Sequence, residues 1–213
     1  GEGGDVLIGG SGFDFASFAN ATEAVRLDLS GGLSARGEAA GDTFNSVEGV
    51  EGSGFADFLL SGAADSALIG GAGADVLRGN VGNDTIDGGD GVDQITGGGG
   101  SDVLTGNEGG DRFIFNTASE SQAGSGRDVI TDFNVDEGDR IKLSQVDAND
   151  LLSGDQEFTF IRERDFDGMA GEMRLTGSDG DVLLQGDTNG DGIADFEIEL
   201  RDVTDLTGGF LIL

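Results

Sequence analysis

Aspartate recurs at every ninth position through the middle of the chain, and this spacing limits the chemistry that the sequence can support. The repeated positions are Asp75, Asp84, Asp93, Asp102 and Asp111. Each follows a glycine-rich turn, and glycine tolerates the positive φ angles that such turns need. Stacked carboxylates repel one another unless a cation lies between them. Calcium takes roughly six to eight oxygen ligands and accepts carboxylates mixed with backbone carbonyls, whereas magnesium keeps its waters and demands octahedral geometry. The pattern therefore predicts several bound calcium ions.

The units that carry these aspartates also specify the elements that position them. Residues 70–114 divide into five units of the form G-G-x-G-x-D-x-U-x, where U is a large apolar residue. Each unit is a turn followed by a short strand, and we expect two units to form one coil of a right-handed parallel β-roll. The single inward residue of each strand then builds the core, which is predicted to contain Leu59, Leu68, Leu77, Ile86, Ile95, Leu104 and Phe113.

Positions 18 residues apart lie on the same edge of such a roll. One edge is predicted to carry Asp57, Asp75, Asp93 and Asp111, and the other edge Asp84 and Asp102. Looser units precede the five regular ones. They start at Gly52 and Ser61, the latter with Ser66 in place of the aspartate, and two more contain Asp5 and Asp14. A flexible Gly/Asp-rich linker is the alternative that composition suggests. A linker has no reason to keep an aspartate and an apolar residue in a fixed nine-residue phase.

The composition predicts a chain that needs a ligand in order to fold. Of 213 residues, 42 are Asp or Glu, 11 are Lys or Arg and 42 are Gly, with a net charge of −31. Glycine loses much backbone entropy on folding, and like charges repel in the compact state. The negative charge excludes nucleic acid as a natural partner and disfavours an anionic membrane surface. No run reaches the roughly 18 apolar residues of a membrane span. Cysteine and histidine are both absent, which removes disulfides, the usual zinc ligands and the commonest general base.

The nonapeptide resembles that of the RTX family, the hemolysin-type calcium-binding repeats of bacterial proteins exported by type I secretion. The resemblance covers the five regular units and the looser units before them. It implies that the chain is secreted and extracellular, and that turn carbonyls and the turn aspartate share each calcium ion between neighbouring coils. Asn80 and Asn107 replace the second glycine of their turns, because asparagine tolerates positive φ. Beside the aspartates, the implied ligands are Gly70, Gly71, Gly73, Gly79, Gly82, Gly88, Gly89, Gly91, Gly97, Gly98, Gly100 and Gly109.

The segments on either side of the regular repeats break the nine-residue phase. Residues 1–51 are predicted to be degenerate repeats with an inserted hairpin that packs beside the roll. Val25, Leu27 and Leu29 alternate with polar residues, and a second strand-like stretch follows. A ligand-binding insert is the alternative. Residues 52–116 form the regular roll. Residues 117–213 are predicted to be a β-rich antiparallel cap with a secretion signal, because a solenoid needs a terminal cap.

The cap segment resembles the C-terminal region of serralysin-type secreted metalloproteases, and a related stretch occurs in mannuronan epimerase repeat modules. The similarity is carried by FIFNTASESQ…GRDVITDF…GDRIKLSQVD and, more loosely, by QGDTNGDGIADFEIEL. It implies further calcium ligands at Glu120, Asp128 and Asp139. Glu120 also has support from spacing, because it lies nine residues beyond Asp111 and 18 beyond Asp102. For Asp128 and Asp139 the alternative is an ordinary turn or strand-end aspartate.

The acidic motifs of the cap do not predict catalysis. DTNGDGIAD, from Asp187 to Asp195, matches the start of an EF-hand loop, but Ile198 stands where the bidentate glutamate belongs. A β-hairpin turn is favoured there. Neighbouring acids such as Asp165 and Asp167 could serve a glycosidase, but close carboxylates are expected by chance in so acidic a chain. The protease resemblance covers only a non-catalytic tail, and the zinc motif of such proteases needs histidine. The fragment is therefore predicted to be non-enzymatic.

These observations favour a calcium-binding module that folds outside the cell and supports type I secretion and folding of an upstream passenger. The tail favours a protease as passenger, with a polysaccharide-modifying enzyme second. The alternative functions are an extracellular polysaccharide-binding module and an adhesin segment. Against polysaccharide binding, the sequence offers no obvious basic strip, since the cap arginines are scattered: Arg162, Arg164, Arg174 and Arg201.

The last four residues, 210–213, are all apolar. They predict either a final buried strand of the cap or an export signal that the type I secretion machinery reads. In secreted RTX proteins that signal is C-terminal and uncleaved, and an acidic residue often precedes its apolar residues. Here the nearest acid is Asp205, five positions before Phe210. Both interpretations hold if the tail is free in the unfolded chain and docks after calcium folds the roll.

Overall fold

The computed structural model describes residues 3–31, 35–178, 180–203, 206 and 209–213, and these residues are almost entirely β-structure. Two short 3-10 turns, Gly37–Ala39 and Ala118–Glu120, are the helical elements of this part of the chain. None of its helical segments is long and apolar enough to cross a membrane. The all-β fold class predicted from the nine-residue repeat is confirmed.

Most strands have three residues, and strands of seven residues occur in both the roll and the cap. In chain order they are β1 (Val6–Ile8), β2 (Phe15–Ser17), β3 (Arg26–Asp28), β4 (Thr43–Asn45), β5 (Gly49–Glu51), β6 (Phe58–Leu60), β7 (Ala67–Gly73), β8 (Val76–Arg78), β9 (Thr85–Gly91), β10 (Gln94–Thr96), β11 (Val103–Thr105), β12 (Arg112–Ile114), β13 (Asp128–Ile130), β14 (Arg140–Lys142), β15 (Thr159–Arg162), β16 (Glu172–Ser178), β17 (Asp181–Asp187), β18 (Phe196–Leu200) and β19 (Leu211–Ile212).

Two long sheets run along the roll. The seven-stranded sheet has the order β19-β14-β12-β10-β8-β6-β3, and the ten-stranded sheet the order β15-β16-β17-β18-β13-β11-β9-β7-β5-β2. Within the roll, parallel partners are one coil apart, so that Leu77 pairs with both Leu59 and Ile95. Successive strands of the chain alternate between the two sheets. A coil therefore consists of two nonapeptides, as predicted.

The second residue of each strand from β6 to β12 points into the space between the sheets. All seven predicted core residues have an exposed fraction of 0%: Leu59, Leu68, Leu77, Ile86, Ile95, Leu104 and Phe113. Alternation along a strand leaves its two flanking side chains on the outer face. The apolar core of the roll is therefore only one side chain wide on each sheet.

Among the described residues before the regular repeats, antiparallel pairing is limited to the bridge between Arg26 and Arg36, and the two strands expected to form a hairpin do not pair with each other. β3 pairs in parallel with β6, and β5 pairs in parallel with β7, so both strands continue the sheets of the roll. β4 pairs in parallel with β1. Val25 and Leu27 are buried as expected. The hairpin prediction is wrong because alternation identifies a half-buried strand without identifying its partner, which here comes from the next coil.

The cap extends the ten-stranded sheet with longer strands. β16, β17 and β18 are antiparallel, with Leu184 opposite Leu175 on one side and Ile198 on the other. β18 then pairs in parallel with β13, which joins the cap to the roll. The predicted antiparallel arrangement is confirmed for these three strands, whereas β15 pairs in parallel with β16 and β19 pairs in parallel with β14.

Candidate metal centre

The aspartates of one edge form a ladder of hydrogen bonds along the roll. In each step, the backbone N–H of one aspartate donates to Oδ1 of the aspartate one coil later. The N···O distance is 2.7 Å from Asp57 to Asp75, and 2.8 Å from Asp75 to Asp93 and from Asp93 to Asp111. One oxygen of each carboxylate is thus held by the backbone, and the other remains for a different partner.

The second edge repeats the ladder. The N–H of Ser66 donates to Oδ1 of Asp84, and the N–H of Asp84 donates to Oδ1 of Asp102, both at 2.8 Å. The Ser66 hydroxyl donates to the carbonyl of Ala64 at 2.6 Å, so this turn has no carboxylate to offer. Both edges predicted from the 18-residue spacing are therefore present, each as a row of hydrogen bonds from backbone N–H groups to side-chain oxygens.

The second carboxylate oxygen, Oδ2, is buried without a hydrogen-bond partner at most turns. Leaving a buried charged oxygen unpartnered costs free energy, on the order of 1–3 kcal/mol or more. The ends of the first ladder differ, because Oδ2 of Asp57 accepts from the N–H of Ser53, and Oδ2 of Asp139 accepts from the N–H of Asn134. The ladder aspartates with an unpartnered Oδ2 are Asp75, Asp84, Asp93, Asp102, Asp111 and Asp128.

Glycine at the first turn position keeps the space beside this oxygen open. A Cβ on Gly70 would collide with Oδ2 of Asp75 and with the carbonyl oxygen of Gly88, one coil later. A carboxylate oxygen and a carbonyl oxygen thus converge on the same small space, which is the mixture of ligands that calcium accepts. A Cβ would likewise collide with the aspartate Oδ2 of the same turn at Gly79, Gly88 and Gly97.

The predicted ligand set omits Gly106, which belongs with these glycines. A Cβ on Gly106 would collide with Oδ2 of Asp111. The signal is present in the sequence, since Gly106 lies nine residues after Gly97 and opens the last regular unit.

The second and fourth turn positions need the left-handed backbone that the repeat pattern predicts. Gly71 has a φ of 106° and Gly73 a φ of 135°. Asn80 and Asn107, which replace the second glycine, have φ values of 66° and 64°. Asparagine adopts this conformation more readily than other side-chain-bearing residues, so these replacements keep the turn.

Burial raises the pKa of seven of the ladder aspartates well above the usual value of 3.8. Loss of solvation is the largest cause, hydrogen bonds from the backbone lower the pKa in part, and neighbouring carboxylates raise it further. Without a cation, these groups therefore take up protons at a higher pH than an exposed aspartate does. The pKa is raised to about 6 for Asp75, Asp93, Asp102, Asp111 and Asp139, to about 7 for Asp84 and to about 8 for Asp128.

No group of three or more acidic side chains suited to a metal ion is found within the described ranges. Each turn instead offers its aspartate together with backbone carbonyls. A cation held there must take most of its ligands from carbonyl oxygens, which suits calcium and does not suit zinc.

Known protein families agree with this geometry. The family model described as Peptidase M10 serralysin C terminal matches residues 38–207. The chain belongs to this family. A second model, for the RTX calcium-binding nonapeptide repeat (4 copies), matches residues 1–17. The sequence-based resemblance to both families is confirmed.

Two similar solved structures are repeat subunits of the mannuronan C5-epimerase of Azotobacter vinelandii. The AlgE6R2 subunit is 26% identical over 68% of this chain and 81% of its own, with a TM-score of 0.36. The AlgE6R3 subunit is 24% identical over 73% of this chain and 83% of its own, with a TM-score of 0.24. Because both TM-scores are low, the two structures do not show how the strands of this chain are arranged. No curated protein matches the sequence.

In this serralysin C-terminal region, the two aspartates assigned from family resemblance alone both lie in the ladders. The N–H of Asp102 donates to Oδ1 of Asp128 at 2.9 Å, and the N–H of Asp111 donates to Oδ1 of Asp139 at 2.8 Å. These steps span 26 and 28 residues instead of 18. Both residues therefore take the same place as the repeat aspartates, and their role as calcium ligands stays a prediction.

Glu120 does not take the ladder position that its spacing predicts. Asp128 follows Asp102 instead, because the 3-10 turn Ala118–Glu120 and the residues after it interrupt the repeat. The Glu120 carboxylate accepts from the N–H of Asn116 at 2.7 Å. It still lies near enough to Asp102 and Asp128 to raise the pKa of both. The spacing argument is wrong, and the assignment from family resemblance stays a prediction.

In the acidic loop between β17 and β18, backbone N–H groups of the loop donate to the carboxylate of Asp187. Oδ1 of Asp187 accepts from the N–H of Gly190 at 2.6 Å, and its Oδ2 accepts from the N–H of Gly192 at 2.9 Å. The strands on either side are antiparallel, with Gly186 opposite Phe196. The hairpin interpretation of DTNGDGIAD is confirmed.

Proposed function

We propose that this serralysin C-terminal region is a calcium-dependent folding module that folds outside the cell and supports type I secretion and folding of an upstream passenger. One observation carries the proposal: the buried Oδ2 atoms that recur along both ladders without a hydrogen-bond partner. A cation beside each of them would compensate a buried charge that is otherwise costly. The module itself has no catalytic role, and its passenger is a protease or a polysaccharide-modifying enzyme.

Each calcium ion is proposed to lie between turns of neighbouring coils on one edge. Glu120 is proposed to complete a site near Asp102 and Asp128, because its charge acts on both. The aspartate ligands are Asp57, Asp75, Asp93, Asp111 and Asp139 on one edge and Asp84, Asp102 and Asp128 on the other. The proposed carbonyl ligands are those predicted from the sequence, with Gly106 added: Gly70, Gly71, Gly73, Gly79, Gly82, Gly88, Gly89, Gly91, Gly97, Gly98, Gly100, Gly106 and Gly109.

Calcium binding of this kind couples directly to folding. A ligand that binds only the native state stabilises it by RT ln(1 + [L]/Kd), about 2.7 kcal/mol per site at 100 times Kd. Several sites offset the self-repulsion of a chain with a net charge of −31 and the backbone entropy of 42 glycines. Because neighbouring sites share turns, we expect calcium to bind cooperatively. In calcium-poor cytosol the chain then stays unfolded.

Circular dichroism during a calcium titration tests this proposal. Starting from chelator, we expect a largely disordered spectrum that changes steeply to a β-sheet spectrum as calcium is added. Magnesium at the same concentrations should leave the chain disordered, since it keeps its waters and demands octahedral sites. Identical spectra in chelator and in calcium would contradict the proposal.

Residues 210–213 are proposed to serve export first and folding afterwards. Phe210 is 2% exposed and lies against the rings of Phe133 and Phe160, and β19 pairs with β14. In an unfolded chain these contacts are absent, and the tail is accessible to the secretion machinery. Asp205, the acid nearest to this tail, lies outside the described residues.

Deleting residues 210–213 separates the two roles. Export through a type I channel should be lost, while calcium titration of the purified truncated chain should still fold the roll. Normal export of the truncated chain would leave these residues with a role as a strand only.

A further inference from the structure

The cap contains a cavity of about 660 Å³ that the calcium ladders do not use. Its lining comes from β15, β16 and β17, from the two residues after β15 and from the segment after β18. We call this cavity the cap pocket, and its lining includes Phe160, Leu175, Val182, Arg162 and Arg164. Ligand pockets in proteins have volumes of about 300–1,000 Å³. The cap pocket is therefore large enough for a small organic ligand.

The inner part of the cap pocket is apolar. Ile161 and Val203, which line it, are buried. Phe160, Leu175 and Val182 are half-buried and pack against the hydrophobic core. These side chains offer water no hydrogen bond, so an apolar group that covers them lowers the free energy. The inner part of the pocket thus favours a hydrocarbon portion of a ligand.

Two arginines form the exposed part of the lining and have no carboxylate partner. Arg162 and Arg164 are both exposed. Within the described residues, the salt bridges involve other arginines. One acid, Glu163, also lines the pocket. The opening therefore carries two positive charges and one negative charge, in a chain whose net charge is −31, and it favours an anion.

A neighbouring arginine shows how the cap uses such a side chain for structure alone. Arg174 contacts Asp165 at 3.0 Å, and its guanidinium group lies 4.2 Å from the centre of the Phe166 ring. Arg164 instead donates from Nε to the carbonyl of Ile161 at 3.3 Å, and among the described residues its Nη groups have no partner. A guanidinium group with free donors binds a carboxylate in a bidentate manner.

The backbone at the end of β15 adopts an unusual conformation to place Arg162 at the opening. The pairing of β15 with β16 shifts register between Phe160 and Arg162, and irregularities of this kind change the direction of a side chain. Arg162 has a φ of 61°, which is uncommon for a residue with a long side chain. Glycine would adopt this conformation without strain. The charge of Arg162 explains the residue at this position, whereas backbone stability does not.

We propose that the cap pocket binds a medium-chain fatty acid. The alkyl chain covers the apolar side chains inside the pocket, and the carboxylate accepts hydrogen bonds from Arg162 and Arg164 at the opening. A neutral lipid would leave both arginines unused, and a compact anion such as phosphate would leave the apolar part unfilled. The inference goes beyond the proposed function, because it requires a folded cap and assigns no role to the ladders or to secretion.

Isothermal titration calorimetry of the full chain in excess calcium tests the inference. The probes are hexanoate, octanoate and decanoate, each corrected for its heat of dilution into the same calcium buffer. We expect binding to tighten about fourfold for each added methylene group, because each is buried in the pocket. The uncharged 1-octanol should bind about fivefold more weakly than octanoate, because it forms no ion pair.

Three variants locate the ligand. Arg162→Gln/Arg164→Gln should weaken octanoate binding about fivefold. The matched control Arg78→Gln/Arg112→Gln removes the same charge from the roll and should leave the dissociation constant unchanged. Val182→Phe places a ring in the pocket and should reduce octanoate binding at least tenfold, on the order of the loss of two buried methylene groups. Circular dichroism in calcium, recorded for every variant, identifies any that fails to fold.

Arg162→Gly separates ligand binding from stability. The urea midpoint measured by circular dichroism should not fall, since glycine relieves the strained φ angle, while octanoate binding should weaken. Failure of the folded chain to bind any of the three carboxylates overturns the inference. Equal affinity for all chain lengths also overturns it, because that result indicates ion pairing at the surface only. So does equal weakening by the two double variants, or binding of 1-octanol as tight as that of octanoate.

Discussion

The roll and the cap differ in how much apolar surface they bury per residue. In the roll, each strand from β6 to β12 contributes one fully buried apolar side chain, such as Ile86 in β9 or Ile95 in β10. In the cap, the single strand β18 buries Phe196, Ile198 and Leu200. Hydrophobic stabilisation grows with the apolar area removed from water. The cap therefore has more of the ordinary driving force for folding in each segment of chain.

The two regions also differ in how they treat buried carboxylates. The roll leaves Oδ2 of residues such as Asp93 without a partner. The cap pairs its acids, since Arg127 contacts Glu197 at 3.1 Å and Glu199 at 2.7 Å. The difference teaches that the roll depends on a ligand for its charge balance, whereas the cap supplies its own.

Removing calcium should produce the largest difference in stability between the roll and the cap. In chelator, we expect amides of strands β7 to β12 to exchange with solvent as in an unfolded chain. Amides of β16, β17 and β18 should keep measurable protection, because antiparallel pairing and apolar packing remain. Hydrogen exchange with mass spectrometry measures both sets in one sample. Equal loss of protection in the two regions would abolish the distinction.

A core substitution in the cap should lower the stability of the cap without changing calcium binding by the roll. Leu184→Ala removes a fully buried side chain, and we expect a loss of about 2–5 kcal/mol in the free energy of unfolding of the cap. Urea unfolding, monitored through a fluorescent label attached to the cap, measures this loss. The calcium midpoint of the roll should stay within error of the parent value. A shifted midpoint would show that the cap and the calcium sites unfold as one unit.

A ladder aspartate of the roll should matter more than an exposed aspartate of the cap. Asp93→Ala removes the acceptor for the N–H of Asp75 and a proposed calcium ligand, and we expect a loss of about 1.5–3 kcal/mol with lower calcium cooperativity. The matched control is Asp165→Ala, whose fully exposed carboxylate contacts Arg174 and should leave stability nearly unchanged, since exposed ion pairs contribute little. Calcium titration of the two variants checks the contrast. Equal effects would argue against the ladder as the binding register.

The two regions should respond to pH with opposite signs. The folded pKa of Asp93 is about 6, above an unfolded value near 3.9, so the calcium-free folded roll binds more protons than the unfolded chain. Its stability is present at low pH and falls as pH rises through about 6, and further to about 8 for Asp128. In the cap, hydrogen bonds from Arg201 and Arg127 lower the pKa of Glu199, so its contribution is lost as pH falls below the usual range.

Circular dichroism in chelator at pH 5.5 and pH 8 measures the roll side of this contrast. We expect more β-structure at pH 5.5, and a higher calcium midpoint there because protons compete with calcium. Asp93→Asn should reduce the pH dependence. A roll that loses structure on acidification in chelator would contradict the assigned sign.

The nine-residue repeat predicts most of the roll, because the same spacing determines which side chains are buried and which aspartates lie along each edge. An inward residue two places after each aspartate fixes the core, and the 18-residue period fixes which aspartates share an edge. The phase fails where insertions enter the chain. From Asp102 to Asp128 and from Asp111 to Asp139 the ladder continues although the spacing changes. The acceptor is the aspartate that lies one coil away in space, whatever its distance in the sequence. The spacing argument therefore places Glu120 wrongly after Asp102 in the ladder.

Strand partners and outer faces could not be obtained from the sequence for a related reason. A three-residue strand such as β3 shows which residue is buried but not whether its neighbour is adjacent in the chain or one coil away. The outer face of the seven-stranded sheet depends on that register, because Arg26 and Arg140 lie far apart in sequence and join one row only when the sheet is assembled. Gly106 differs, since the repeat pattern already contained it.

The aspartate ladders have a direction. Every step runs from an N–H to a carboxylate nearer the C-terminus, and the last acceptors are Asp128 and Asp139. A coil added on the N-terminal side of an assembled one supplies the N–H of the new bond, whereas a coil added on the C-terminal side supplies the carboxylate. The two ends of a ladder therefore differ chemically, since one end presents a carboxylate and the other an N–H. At the C-terminal end of the first ladder, the N–H of Asp139 donates instead to the carbonyl of Asn134, which closes the row.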